Sequence, residues 1–213
     1  MVYGSTEALK HLRQRGGALI NMGSISSDMP APVLSAYTAS KHAVKGFTDS
    51  LRHELLYEDA PVSVSLIKPS GIHTPFGIRA ENYQEQRSRV PLPVYHPKLV
   101  ARAVLYCAEH RKREIMIGES GVLQTTTAQL FPKLADALFP GLFYKMAFED
   151  RPARGTSDHL HEPGHEGMRL GDQDDAAIKF SPATELQMNP KAKWALVGAG
   201  VLAAGWLLKR RSA

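Results

Sequence analysis

A single cysteine, Cys107, stands among 213 residues, which excludes an intramolecular disulfide framework and any cysteine-rich zinc site and fits a reducing compartment. An excess of one charge sign across the body of the chain is also missing. The formal net charge is +5, but residues 191–213 alone hold five basic groups (Lys191, Lys193, Lys209, Arg210, Arg211) and no acid, leaving 21 basic against 21 acidic groups elsewhere. The basic balance belongs to the tail, so bulk charge excludes a nucleic-acid-binding face. There is no internal repeat and no N-terminal signal-peptide pattern. No metal site is expected: His159, His161 and His165 lie beside carboxylates in a polar stretch without apolar periodicity and read as incidental linker histidines.

At 43% hydrophobic and 22% charged, the chain can build one globular domain with appendages. Composition divides it into four regions. Residues 1–118 alternate helix-like and strand-like patterns, 119–150 are an apolar helical extension, 151–190 are a polar linker expected to be disordered, and 191–213 are an apolar run between basic clusters. Within the first region a helix is predicted over 2–15, ending at Gly16-Gly17, followed by a short strand, ALINMG (18–23). From Ser35 to about Glu58, Val44, Phe47, Leu51 and Leu55 recur at threes and fours, a helical stripe. VSVSLIKP (62–69) reads as a strand, 97–110 as a helix opening on Pro97, and REIMIG (113–118) as a third strand. Such alternation specifies an α/β fold with a parallel sheet and helical crossovers. Cys107 shares an apolar stripe with Val100 and Val104 and is read as core.

The chemistry concentrates in NMGSISSDMPAPVLSAYTASKHAVKGF (21–47). Tyr37 and Lys41, four apart, share one helix face a turn apart, and Ser24 sits at the end of the preceding strand. A phenol serves as a general acid or base near neutrality only where its proton is made easier to remove, which an adjacent ammonium does. A strand-end hydroxyl can hold a carbonyl or alcohol oxygen. On spacing alone, a surface tyrosine–lysine pair accounts for the same pattern.

In the frame INMGS…SAYTASKHAVKGF, Ser24, Tyr37 and Lys41 resemble the active-site segment of the short-chain dehydrogenase/reductases, and LIKPSGIHTPF (66–76) resembles that family's PGxVxT stretch. The resemblance spans about residues 1–118. It implies a partial Rossmann-like, doubly wound parallel sheet and an NAD- or NADP-dependent oxidoreductase that moves hydride between the coenzyme and a secondary alcohol or ketone. Tyr37 would be the acid/base, Lys41 its activator and a ligand of the nicotinamide ribose, and Ser24 the partner of the substrate oxygen. Pro69, Gly71, the Ile72 backbone and Thr74 would lie on the nicotinamide side. Ser70 departs from the family pattern, which has glycine there, and Gly71 is expected to restore the backbone freedom.

No glycine-rich pyrophosphate turn precedes Ser24, and GAGVLAAG (198–205) lies in the apolar tail without the strand that such a turn needs. The resemblance therefore implies that the last three strands of a seven-stranded sheet are present, with 18–23 as an exposed edge, and that the chain is truncated. It also implies homodimerisation through helices 2–15 and 36–57. Residues 75–96 are either a lid over the substrate or a solvated connector. In the tail, fifteen uncharged residues lie between Lys193 and Lys209, with Trp194 and Trp206 near the ends, roughly 22 Å as a helix. A C-terminal membrane anchor is expected, the catalytic part lying in the cytoplasm. That tether and the apolar segment 131–148 point to a lipophilic substrate. A different reading is a non-catalytic, membrane-anchored dimerisation module descended from the same family.

Overall fold

The computed structural model describes residues 1–80, 82–153, 167–171, 177–189 and 191–192. Its centre is a parallel sheet of β1 (Gly17–Met22), β2 (Val62–Pro69) and β4 (Glu114–Ile117), in the order β1-β2-β4. Helices α1 (Val2–Arg15) and α2 (Ser35–Tyr57) cover one face and α4 (Pro97–Glu109) covers the other. The sheet pleat dictates this division. Along β2, Val62 and Val64 pack with Leu9, Leu51 and Leu55, while Ile67 points the opposite way to join Leu99, Cys107, Ile115 and Ile117. Burying each of the larger aliphatic side chains contributes about 1.5–3 kcal/mol. Cys107 is core, as its stripe implied, and burial pushes its thiol pKa up.

The ends of the elements follow local chemistry. α1 stops at Gly16, whose φ of 74° suits glycine and whose N–H reaches the Leu12 carbonyl at 2.8 Å. α4 opens on Pro97, with the His96 ring accepting from the Lys98 N–H at 3.1 Å. Among the described residues β1 pairs only with β2, so it is an edge strand.

The remaining elements surround one end of the sheet. α3 (Phe76–Arg79) and β3 (Gln86–Ser88) lie in segment 75–96, and β3 pairs antiparallel with β5 (Phe148–Pro152). α5 (Glu119–Leu130) and α6 (Pro132–Ala147) follow β4. The described part of 151–190 departs from the polar, disordered linker expected there. α7 (Pro182–Met188) docks on β4 with Thr184 fully buried, because polar side chains satisfy the strand's outward backbone: Thr184 Oγ1 accepts from Gly118 N–H, and the Gln187 amide brackets Met116. His159, His161 and His165 lie outside the described residues. No helix among the described residues is long and apolar enough to cross a membrane, and the apolar run of 193–213 that carries the expected anchor lies outside them.

Candidate active site

β1 delivers the chain to Ser24, where the Gly23 N–H bonds the Ile67 carbonyl (2.8 Å) and a short 3-10 turn, Ile25–Ser27, begins. Ser24 caps that turn. Its Oγ accepts from the Ser26 N–H (3.1 Å), while its own N–H donates to Ser27 Oγ (3.2 Å). The Ser24 hydroxyl proton is thereby left free to turn to another acceptor.

Tyr37 lies in the first turn of α2, one turn before Lys41, and the Lys41 ammonium sits 5.6 Å from the Tyr37 ring centre. Lys41 Nζ donates to the Met22 carbonyl at the end of β1 (3.0 Å), which ties the helix to the strand and leaves two ammonium donors for other partners. Partial burial lowers the Lys41 pKa from the usual lysine value. The loop before α2 carries strain: Val33 takes a φ of 56°, a conformation costing a β-branched residue about 1–3 kcal/mol.

From β2, Pro69 leads to Gly71, Ile72 and Thr74. Gly71 is required for space rather than for an unusual φ: a Cβ there would lie 2.6 Å from the Pro91 carbonyl oxygen. The expectation that Gly71 restores backbone freedom lost at Ser70 is therefore corrected. Ser70 instead fastens the strand end, its hydroxyl donating to the Ile117 carbonyl at 2.7 Å. Ile72 bridges in parallel to Tyr95 through the Gly71 carbonyl and the His73 N–H, so the Ile72 N–H points away from Tyr95.

All seven residues singled out by sequence (Ser24, Tyr37, Lys41, Pro69, Gly71, Ile72 and Thr74) line one cavity of about 610 Å³. Segment 75–96 supplies part of its wall through Tyr83, Arg89 and Leu92, and α6 supplies Phe139, Leu142, Phe143 and Met146. The cavity lining thus combines a hydroxyl, a phenol and an ammonium group with many apolar side chains.

Sequence reading missed the charged cluster behind this site. The Asp28 side chain, 1% exposed, pairs with Lys45 of α2 and with Lys68 of β2 (2.5 Å), and Lys68 pairs with Glu114 of β4 (2.9 Å). Burial alone would raise the Asp28 pKa, but hydrogen bonds and charge from Lys45 and Lys68 outweigh it and hold the carboxyl below the usual aspartate range. The cluster locks the Ser24 turn to the helix carrying Tyr37 and Lys41. The signal was available in Lys68, the one charge in a buried, otherwise uncharged strand, where a lysine is tolerated only when paired. A second missed network links Ser5, Asn21 and Thr48 across α1, β1 and α2, with Asn21 donating to Thr48 Oγ1 at 3.0 Å.

A family model described as short chain dehydrogenase matches residues 1–85. The chain is similar to an uncharacterized oxidoreductase, YxnA, of Bacillus subtilis, 41% identical over 167 residues, covering 76% of this chain and 47% of that protein. It is 32% identical over 114 residues to a hydroxysteroid 11-beta-dehydrogenase 1-like protein of Xenopus tropicalis, covering 54% of this chain and 38% of that protein. Among solved structures, a short chain dehydrogenase from Burkholderia cenocepacia in complex with NADP aligns with a TM-score of 0.50 at 25% identity, over 60% of this chain and 49% of that one. The chain spans about half the length, or less, of these relatives.

Proposed function

The chain belongs to the short-chain dehydrogenase/reductase family, and from that premise we propose that it carries the catalytic part of an oxidoreductase acting on a lipophilic secondary alcohol or ketone with NAD or NADP. The observation that carries this reading is that Ser24, Tyr37 and Lys41 line the same cavity as the apolar residues Phe139, Leu142, Phe143 and Met146 of α6.

The nicotinamide half of the coenzyme fits the residues present. Lys41 has ammonium donors to spare that would hold ribose hydroxyls, and the Ile72 N–H and the Thr74 hydroxyl, on a loop lining the same cavity, would hold the carboxamide. When bound, the coenzyme supplies or removes the hydride. In the reducing direction Tyr37 gives its phenolic proton to the carbonyl oxygen, Ser24 donates a hydrogen bond to that oxygen, and the Lys41 ammonium, 5.6 Å from the Tyr37 ring centre, compensates the negative charge that the transfer leaves on the phenol oxygen. Oxidation reverses each transfer. The cavity's apolar lining would exclude water and hold the hydrocarbon part of the substrate.

We assign the enzyme to a membrane surface, tethered by residues 194–208 with its catalytic part in the cytoplasm, and to a homodimer formed through α1 and α2. The tail's composition supports the tether, and the exposed Tyr3, Leu56 and Tyr57 support the pairing.

The substrate reading is tested by Phe143→Ala, assayed on the full-length protein with NADH, NADPH and a series of ketones of increasing chain length. Removing the ring takes contact from the apolar wall, so KM rises for long-chain ketones by about tenfold and little for the shortest, with kcat held. An equal effect on short and long substrates would contradict a lipophilic pocket.

A further inference from the structure

The loop that turns Ile72 and Thr74 toward the cavity does not hold itself. Its outer side is a parallel ladder of single bridges, Ile72 to Tyr95 and Tyr95 to Ile178. Tyr95 N–H donates to the Gly71 carbonyl (2.8 Å) and the His73 N–H to the Tyr95 carbonyl (2.9 Å). On the far side of Tyr95 the Ile178 N–H donates to Val94 and the His96 N–H to Ile178, both at 2.9 Å. The Tyr95 side chain is buried against Gly118, whose φ of 94° and missing Cβ make the room: a Cβ there would lie 2.4 Å from the ring.

Glu119 joins this ladder to α7. One carboxylate oxygen accepts the Tyr95 hydroxyl at 2.9 Å, and the other accepts Ser181 Oγ at 2.7 Å and the Ala183 N–H at 3.1 Å. Burial alone would raise the Glu119 pKa, but these hydrogen bonds outweigh it and hold the acid below its usual value, so at neutral pH it accepts from all three. Thr184 and Gln187 then fix α7 to β4. From the other side, a Cβ on Gly171 would lie 2.7 Å from the Thr74 carbonyl oxygen, so this part of the chain too runs directly against the loop.

We propose that residues 177–189 form a clasp that sets the position of the coenzyme-facing loop, residues 71–74, and that Tyr95 and Glu119 are the positioning residues that join the two. The proposal rests on the reading that Ile72 and Thr74 face the nicotinamide. Neither Tyr95 nor Glu119 touches the reacting atoms; they act by holding the backbone from which the Ile72 N–H projects.

Tyr95→Phe in the full-length protein keeps the ring on Gly118 and removes the hydroxyl, and with it the bond to Glu119 and the weaker one from the Ser120 N–H (3.4 Å). Amide exchange at 71–74 accelerates by about tenfold, while exchange across 62–67 of β2 stays at the parental rate. In the same variant the KM for NADH or NADPH rises by about tenfold with kcat within about twofold. Ser181→Ala, which leaves the ring and its neighbours in place, produces a smaller rise in both. Unchanged exchange at 71–74 in both variants overturns the clasp. Faster exchange with an unmoved coenzyme KM overturns instead the assignment of Ile72 and Thr74 to the coenzyme.

Discussion

Tyr37→Phe is expected to lower turnover by roughly 10²- to 10⁴-fold, the usual contribution of a positioned acid or base. Only the phenolic oxygen is removed, and Tyr37 is 38% exposed at the start of α2, so the fold loses little. Its thermal unfolding should match the parent within about 0.5 kcal/mol. The Lys41 ammonium stays fixed to the Met22 carbonyl in this variant, so nicotinamide coenzyme binding persists while chemistry fails. Steady-state kinetics together with a coenzyme titration check both halves. Turnover at the parental rate would remove Tyr37 from the mechanism.

The largest effect on stability belongs to Asp28. Asp28→Ala leaves Lys68, whose side chain is 4% exposed, with only Glu114, and deprives Lys45 of its carboxylate as well. Breaking a buried ion pair from one side costs about 3–5 kcal/mol, because a charge stays buried without its partner. Removing the stranded charge too should recover much of the loss, so Asp28→Ala with Lys68→Met should be more stable than Asp28→Ala alone. Denaturant unfolding of the three proteins checks the order. The pH dependence has a definite sign. The folded-state pKa of Asp28 is depressed, so its stabilising contribution is full above the usual aspartate pKa of about 3.9 and is lost as pH falls below it through the folded-state value. The parent should therefore lose stability in acid more steeply than the double variant. Because Asp28 ends the turn that Ser24 begins, the single variant should also lose turnover.

Where patterning was strong, the sequence and the structure agree. β1, α2, β2, α4 and β4 lie within a residue or two of their predicted bounds, because each helix buries one face and carries a 3.6-residue period, and each strand, covered on both faces, is a short apolar or β-rich run between breakers. The residues lining the cavity were legible through a family resemblance rather than through spacing, since Tyr37 and Lys41 one turn apart fit a surface pair equally well. Elements that bury little pattern were not legible. β3 is three residues, QRS, and β5 reads FEDRP, neither of which alternates. α7 was lost to composition, although its start carries a recognisable cap in Ser181, Pro182 and Glu185. Its docking depends on Thr184 and Gln187 meeting the backbone at Gly118 and Met116, a match between distant polar groups that no local period encodes. The Asp28–Lys68 pair spans forty positions of sequence and was hidden for the same reason.

The most direct test of the account follows the hydride itself. The full-length protein is incubated with a long-chain ketone and nicotinamide coenzyme, NADH or NADPH, carrying deuterium at the transferable position, and the alcohol is read by mass spectrometry. The account predicts deuterium on the carbinol carbon, with the labelled product lost in Tyr37→Phe. Alcohol without deuterium, or labelled alcohol formed equally fast by Tyr37→Phe, would contradict it.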